Sequence, residues 1–133
     1  MSDNVTEAEV RTPYELVGGE EAVRRLVDRF YDLMDSDPRA AGIRAMHAAD
    51  LSPMRERLFE FLSGWLGGPP LYFQRPGRNC IMSAHRPFAI GESERDQWMM
   101  CMRQAMDDCG VPVEVRKMID VPLERMANAF RNK

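Results

Sequence analysis

Five side chains in this sequence are of the kinds that hold transition metals: His47, His85, Cys80, Cys101 and Cys109. A closed zinc site takes four Cys or His groups. Cys101 and Cys109 lie on one helical stripe about 12 Å apart by helix rise, and the chain has no Cys-x-x-Cys pair. A closed zinc site is therefore not expected. Nucleophile templates also fail. There is no Gly-x-Ser-x-Gly, and Cys80, five residues before His85, has no third group to orient the base. The Gly pairs at 18–19 and 67–68 lack the lysine and the strand of a phosphate-cradling loop. What remains is a metal that brings most of its own ligands and asks the protein for one imidazole. The stretch CIMSAHRPFAI, residues 80–90, offers His85 just ahead of Pro87 and Phe88. A lone histidine among apolar neighbours is also an ordinary structural residue, so the elements around it decide its meaning.

Those elements all read as helices. Val23, Leu26, Val27, Phe30, Tyr31 and Met34 recur at helical spacing behind a Gly-Gly turn. The segment DSDPRAAG is rich in helix stops and starts, and a short helix fits residues 38–46. A second strong helix opens at Ser52, as cap, with Pro53 in its first turn. It places Met54, Leu58, Phe61, Leu62 and Trp65 on one face and stops at LGGPP. Residues 71–80 read as a loop. A short helix around 80–86 carries His85 and ends there, because Pro87 disfavours helical geometry at Arg86. Ser93 is the expected cap of the next helix, with Trp98, Cys101, Met102, Ala105, Met106 and Cys109 as its stripe and Gly110 at its end. The last helix runs from about Pro112 to Arg131. Its inward residues are Val115, Met118, Ile119, Leu123, Met126, Ala127 and Phe130, with a kink expected at Pro122. The fold class is all-α, one domain over residues 12–133, with residues 1–11 as a flexible tail.

Such a scaffold suits haem. The porphyrin supplies four equatorial nitrogens and the protein one axial imidazole. In this reading His85 is the proximal iron ligand, and Phe88 packs near the cofactor edge. Eleven methionines fit either a plastic core or one wrapped around something that is not protein.

The segments YELVGGEEAVRRLVDRFY, RERLFEFLSGWLGGPPLYF and HRPFAIGESERDQWMMCM, in that order and spacing, resemble the truncated haemoglobins of group II (O-type). The resemblance covers about Pro13 to Phe130. It implies a truncated globin fold, two helices over two around haem b (iron protoporphyrin IX). It makes His85 the proximal ligand, and Tyr31, His47 and Trp98 the distal, catalytic set. It gives Arg57 and Tyr72 outer roles near a haem propionate, and places Met54, Leu58 and Phe61 along the cavity. From the residues alone, Tyr31 and Trp98 are equally readable as core aromatics, His47 as a loop residue and Arg57 as a solvated charge.

The resemblance implies dioxygen, nitric oxide, carbon monoxide or peroxide as small ligands. Tyrosine hydroxyl, indole N–H and imidazole can all donate to the outer atom of such a ligand. At about 1 kcal/mol per net bond, two or three donors slow oxygen release by about one to two powers of ten. That disfavours transport and suits redox work, such as nitric oxide detoxification or a peroxidase-like reaction, with an unidentified reductase. An oxygen or redox sensor or store, and a cofactor-free helical interaction module, stay open. The net charge of −3 and pI near 5.4 argue against nucleic acid and a polybasic membrane anchor. The polar N-terminus and odd cysteine count suggest a cytoplasmic protein; monomer and homodimer both stay open.

Overall fold

The computed structural model describes residues 11–77 and 80–133, all helix and connection with no strand among them. Of the expected tail, all but Arg11 lies outside the described residues. The helices are α1 Pro13–Val17, α2 Gly19–Ser36, α3 Ala41–Ala45, α4 Ser52–Trp65, α5 Leu71–Gln74, α6 Ile81–His85, α7 Glu92–Asp108 and α8 Val113–Ala129, with a 3₁₀ turn at Pro38–Ala40. None is long and apolar enough to cross a membrane.

Helix α1 begins with a reciprocal cap. The Glu15 N–H donates to Thr12 Oγ1 at 3.2 Å, and the Thr12 N–H donates to Glu15 Oε1 at 3.0 Å, which satisfies two donors that the helix leaves open. Gly18 (φ 120°) and Gly19 (φ 76°) then turn the chain into α2, a backbone path that side chains with a Cβ resist. A second glycine pair closes α4. Gly68 passes so near the Tyr14 ring that a Cβ there would lie 2.5 Å from it.

Helix α2 is central. Its stripe of Val23, Leu26, Val27, Phe30, Tyr31 and Met34 is buried throughout. On one side it meets Phe59 and Leu62 of α4 and Leu66 just beyond it, and on the other Met99, Met102, Ala105 and Met106 of α7. Helix α8 covers α7 with Val115, Ile119, Leu123 and Ala127. Two helix pairs, α2 with α4 and α7 with α8, thus stack on each other. Ion pairs line the seams: Arg24–Glu56 at 2.8 Å and Arg55–Asp32 at 2.7 Å join α2 to α4, and Arg103 joins α7 to Asp120 and Glu124 of α8 at 2.8 Å each. These groups are part-exposed, so the pairs set register more than stability. Helix α8 runs unbroken through Pro122.

Several local expectations fail. Ser52 is the first residue of α4 rather than its cap, and its N–H donates to Asp50 Oδ1 at 3.0 Å. Ser93 lies inside α7. The Glu94 carboxylate instead accepts the Gly91 N–H at 2.7 Å, while Ser93 Oγ accepts from Gln97. Within the expected 71–80 loop, Leu71–Gln74 is helical, tethered by the Arg75–Glu60 pair at 2.7 Å. Met118 faces outward, 48% exposed.

Candidate functional site

His85 is the last residue of α6, as the following Pro87 requires. Its Nδ1 lies 2.7 Å from the Ile81 carbonyl oxygen, one turn earlier. A carbonyl can only accept, so Nδ1 carries the proton and the neutral ring is left with a bare lone pair on Nε2. This is the tautomer that ligates a metal through Nε2, oriented by its other nitrogen. The imidazole is half-buried and lies face to face with Phe130, centroids 4.1 Å apart and planes 8° from parallel. Phe88, three residues on, is 42% exposed.

A second cluster forms on the other elements. Tyr31 of α2 is 6% exposed and sits edge-on to Phe30 at 5.0 Å. Phe30 in turn meets the Trp98 ring of α7 at 5.2 Å. The Tyr31 hydroxyl and the Trp98 indole N–H have no hydrogen-bond partner among the described residues. Burial pushes the Tyr31 phenol well above its ordinary pKa, partly opposed by Arg55, whose guanidinium lies 5.9 Å from the ring centroid. Both phenol and indole are therefore intact, uncommitted donors at neutral pH. His47, in the turn after α3, faces Tyr31 with ring centroids 6.1 Å apart. Arg44 holds this turn through the Ala48 and Ala49 carbonyls, both at 3.0 Å.

His47 departs from the expectation that it donates. Its Nδ1 lies 2.7 Å from the Ile43 carbonyl oxygen. That nitrogen therefore carries the proton, and neutral His47 offers its surroundings a lone pair, not an N–H. The neutral donors are Tyr31 and Trp98.

Met54, Leu58 and Phe61 are half-buried on α4, beside the face that packs on α2. Phe61 meets the buried Tyr72 ring edge-on at 5.9 Å. Arg57 is exposed and makes no ion pair among the described residues. The sequence reading overlooked Arg55, two residues earlier, which bonds the Asp28 carbonyl at 3.0 Å and the Asp32 carboxylate at 2.7 Å. Phe30 was legible as a stripe residue, but not as the ring that joins Tyr31 to Trp98. The i, i+4 pair Asp28 and Asp32 on α2 was the available signal for Arg55.

Among the described residues no group of three or more His, Cys, Asp and Glu side chains is placed to hold a metal ion. One imidazole with a bare Nε2, apolar side chains left half-buried, and two unpaired donors on α2 and α7 fit haem, which needs one protein ligand. A helical sandwich of two pairs carrying such a donor set is a globin.

Comparison with known proteins agrees. The bacterial-like globin family model matches residues 12–132. The group 2 truncated haemoglobin of Bacillus subtilis is 36% identical over 121 residues, 91% of this chain and 89% of that protein. The group II 2-on-2 haemoglobin of Agrobacterium tumefaciens superposes with a TM-score of 0.87 at 42% identity, covering 93% of this chain and 96% of that one. A truncated oxygen-avid haemoglobin from Bacillus subtilis superposes with a TM-score of 0.81 at 36% identity, covering 92% and 100%. This chain belongs to the group II truncated haemoglobins.

Proposed function

We propose that residues 12–133 bind haem b, which His85 Nε2 would hold, and that Tyr31 and Trp98 would retain dioxygen and other diatomic ligands for redox chemistry rather than transport. The observation that carries this is the pairing of two states: His85 has its Nδ1 committed to Ile81, while Tyr31, a buried residue, keeps its hydroxyl uncommitted. When bound, haem supplies an iron centre with one open coordination position. Tyr31 and Trp98 would donate hydrogen bonds to a small ligand bound there, and the surrounding apolar residues would exclude water, which strengthens each bond. Arg57 is free to pair with a propionate. The oxygen-avid Bacillus subtilis relative supports slow release. Converting nitric oxide and dioxygen to nitrate takes one electron from outside in each cycle, so the reading includes a reductase.

The test begins with colour. The purified protein should show a strong Soret band. His85→Gly should lose haem, and added imidazole should restore it. A wild-type protein that takes up no haem, or a His85→Gly protein with an unchanged ferrous spectrum, would refute the assignment. Stopped-flow mixing of the oxygenated protein with nitric oxide, and of the ferric protein with peroxide, then separates turnover from storage.

A further inference from the structure

The imidazole of His85 is restrained by more than its own helix. Helix α6 has five residues, too few to be stable alone, so its position depends on ties from elsewhere. The Nδ1–H bond to Ile81 fixes one edge of the ring but leaves it free to rock about that edge. The stacked Phe130 face, 4.1 Å away and 8° from parallel, blocks that rocking. Two residues further on, Asn132 holds the loop that leaves His85. Its Nδ2 donates to the Phe88 carbonyl at 2.6 Å, its Oδ1 accepts the Ile90 N–H at 2.9 Å, and its own N–H donates to the Ile90 carbonyl at 2.8 Å. The segment after α8 therefore grips both the ring and the loop.

We propose that Phe130 and Asn132 are positioning residues for His85: the phenyl face sets the rotation of the imidazole, and Asn132 anchors the His85–Ile90 loop. Neither touches the ligand side of the site. Their effect passes through the direction in which Nε2 presents its lone pair, and through how firmly α6 holds what it binds. This rests on His85 being the haem ligand.

The experiment uses the haem-loaded full chain. Resonance Raman of the ferrous protein reads the iron–imidazole stretching band, and transfer of haem to apomyoglobin reads its retention. Phe130→Leu should shift and broaden the band, because the ring then samples several rotations, while Phe130→Tyr keeps an aromatic face and should restore the wild-type band. Asn132→Ala removes two side-chain hydrogen bonds. It should speed haem loss by about five- to thirtyfold, at about 1 kcal/mol per net bond, with thermal melting of the haem-free core little changed. Either residue's role is overturned if its variant keeps the wild-type band and the wild-type haem-loss rate. Should Phe130→Leu not fold, Asn132→Ala decides by the same two readouts. A wild-type band that survives in His85→Gly would instead refute the proximal assignment beneath the proposal.

Discussion

Tyr31 and His47 meet edge to face, with centroids 6.1 Å apart and planes inclined by 74°. One is a neutral donor. The other has its Nδ1–H spent on Ile43, which leaves the Nε2 lone pair of the neutral ring to accept. The two rings thus offer opposite hydrogen-bonding groups, and the distal role proposed for each has its own test.

A bare imidazole nitrogen is a good iron ligand. With no gas present, His47 should coordinate in a fraction of the ferrous molecules and give a six-coordinate, low-spin component. His47→Leu should remove that component and leave a five-coordinate, high-spin spectrum. If wild-type and variant deoxy spectra coincide, His47 does not ligate.

Trp98 contributes one N–H. Trp98→Phe keeps the aromatic body against Phe30 and removes the donor, so oxygen release should speed up by about five- to thirtyfold for one good bond lost. Carbon monoxide carries less charge on its outer atom, and its release should change less. Equal acceleration of both gases, measured by flash photolysis and ligand replacement, would make the indole a steric gate. No change in either would make it a core residue.

Tyr31 gives stability a pH dependence of known sign. Burial raises its folded-state pKa above the ordinary value near 10. Above about pH 10 the unfolded chain releases this proton while the folded chain keeps it, so stability present below that pH is lost as pH rises. Tyr31→Phe should therefore lose less stability than wild type between about pH 9.5 and 11, read from urea midpoints. Parallel curves would show that the phenol is not held neutral by burial.

Phe30 is fully buried and touches both donors' rings, Tyr31 at 5.0 Å and Trp98 at 5.2 Å. Phe30→Ala should cost about 3–5 kcal/mol, the usual loss for a large buried aromatic, and should also accelerate oxygen release by loosening both donors. Denaturant unfolding checks the first effect. A full loss of stability with unchanged oxygen release would separate the core from the site.

The elements were legible where the signal is local. All six stripe residues of α2 are buried as their spacing requires, because a helix with one apolar face has only one way to hide it. The short helix that carries His85 stops at the expected residue, because Pro87 follows two places on. Caps were less legible. Asp50 and Glu94 accept at the helix starts where Ser52 and Ser93 were expected to, since neighbouring side chains compete for the same N–H groups and the winner depends on backbone geometry. Helix α5 spans one turn, too short to show periodicity, and its residue Tyr72 is buried against Phe61.

Helix α4 shows the limit most clearly. Its sequence presents two adjoining apolar faces, and periodicity grouped Met54, Leu58, Phe61 and Leu62 together. The fold sends Phe59, Leu62 and Leu66 to α2 and leaves Met54, Leu58 and Phe61 half-buried. Arg55 and Arg57 lie roughly 200° apart around this helix, and nothing local says which one faces α2; the carboxylates of Asp28 and Asp32 decide. The sequence by itself determined the long helices, the imidazole beside Pro87, and the aromatic side chains that carry an O–H or N–H, because these follow from residue type and spacing along one chain. Only the tertiary structure decided which face meets which helix, that the His47 Nδ1–H is spent on the Ile43 carbonyl, and that Phe130 lies on His85. Those outcomes depend on groups distant in sequence, or on the one carbonyl a ring nitrogen happens to reach.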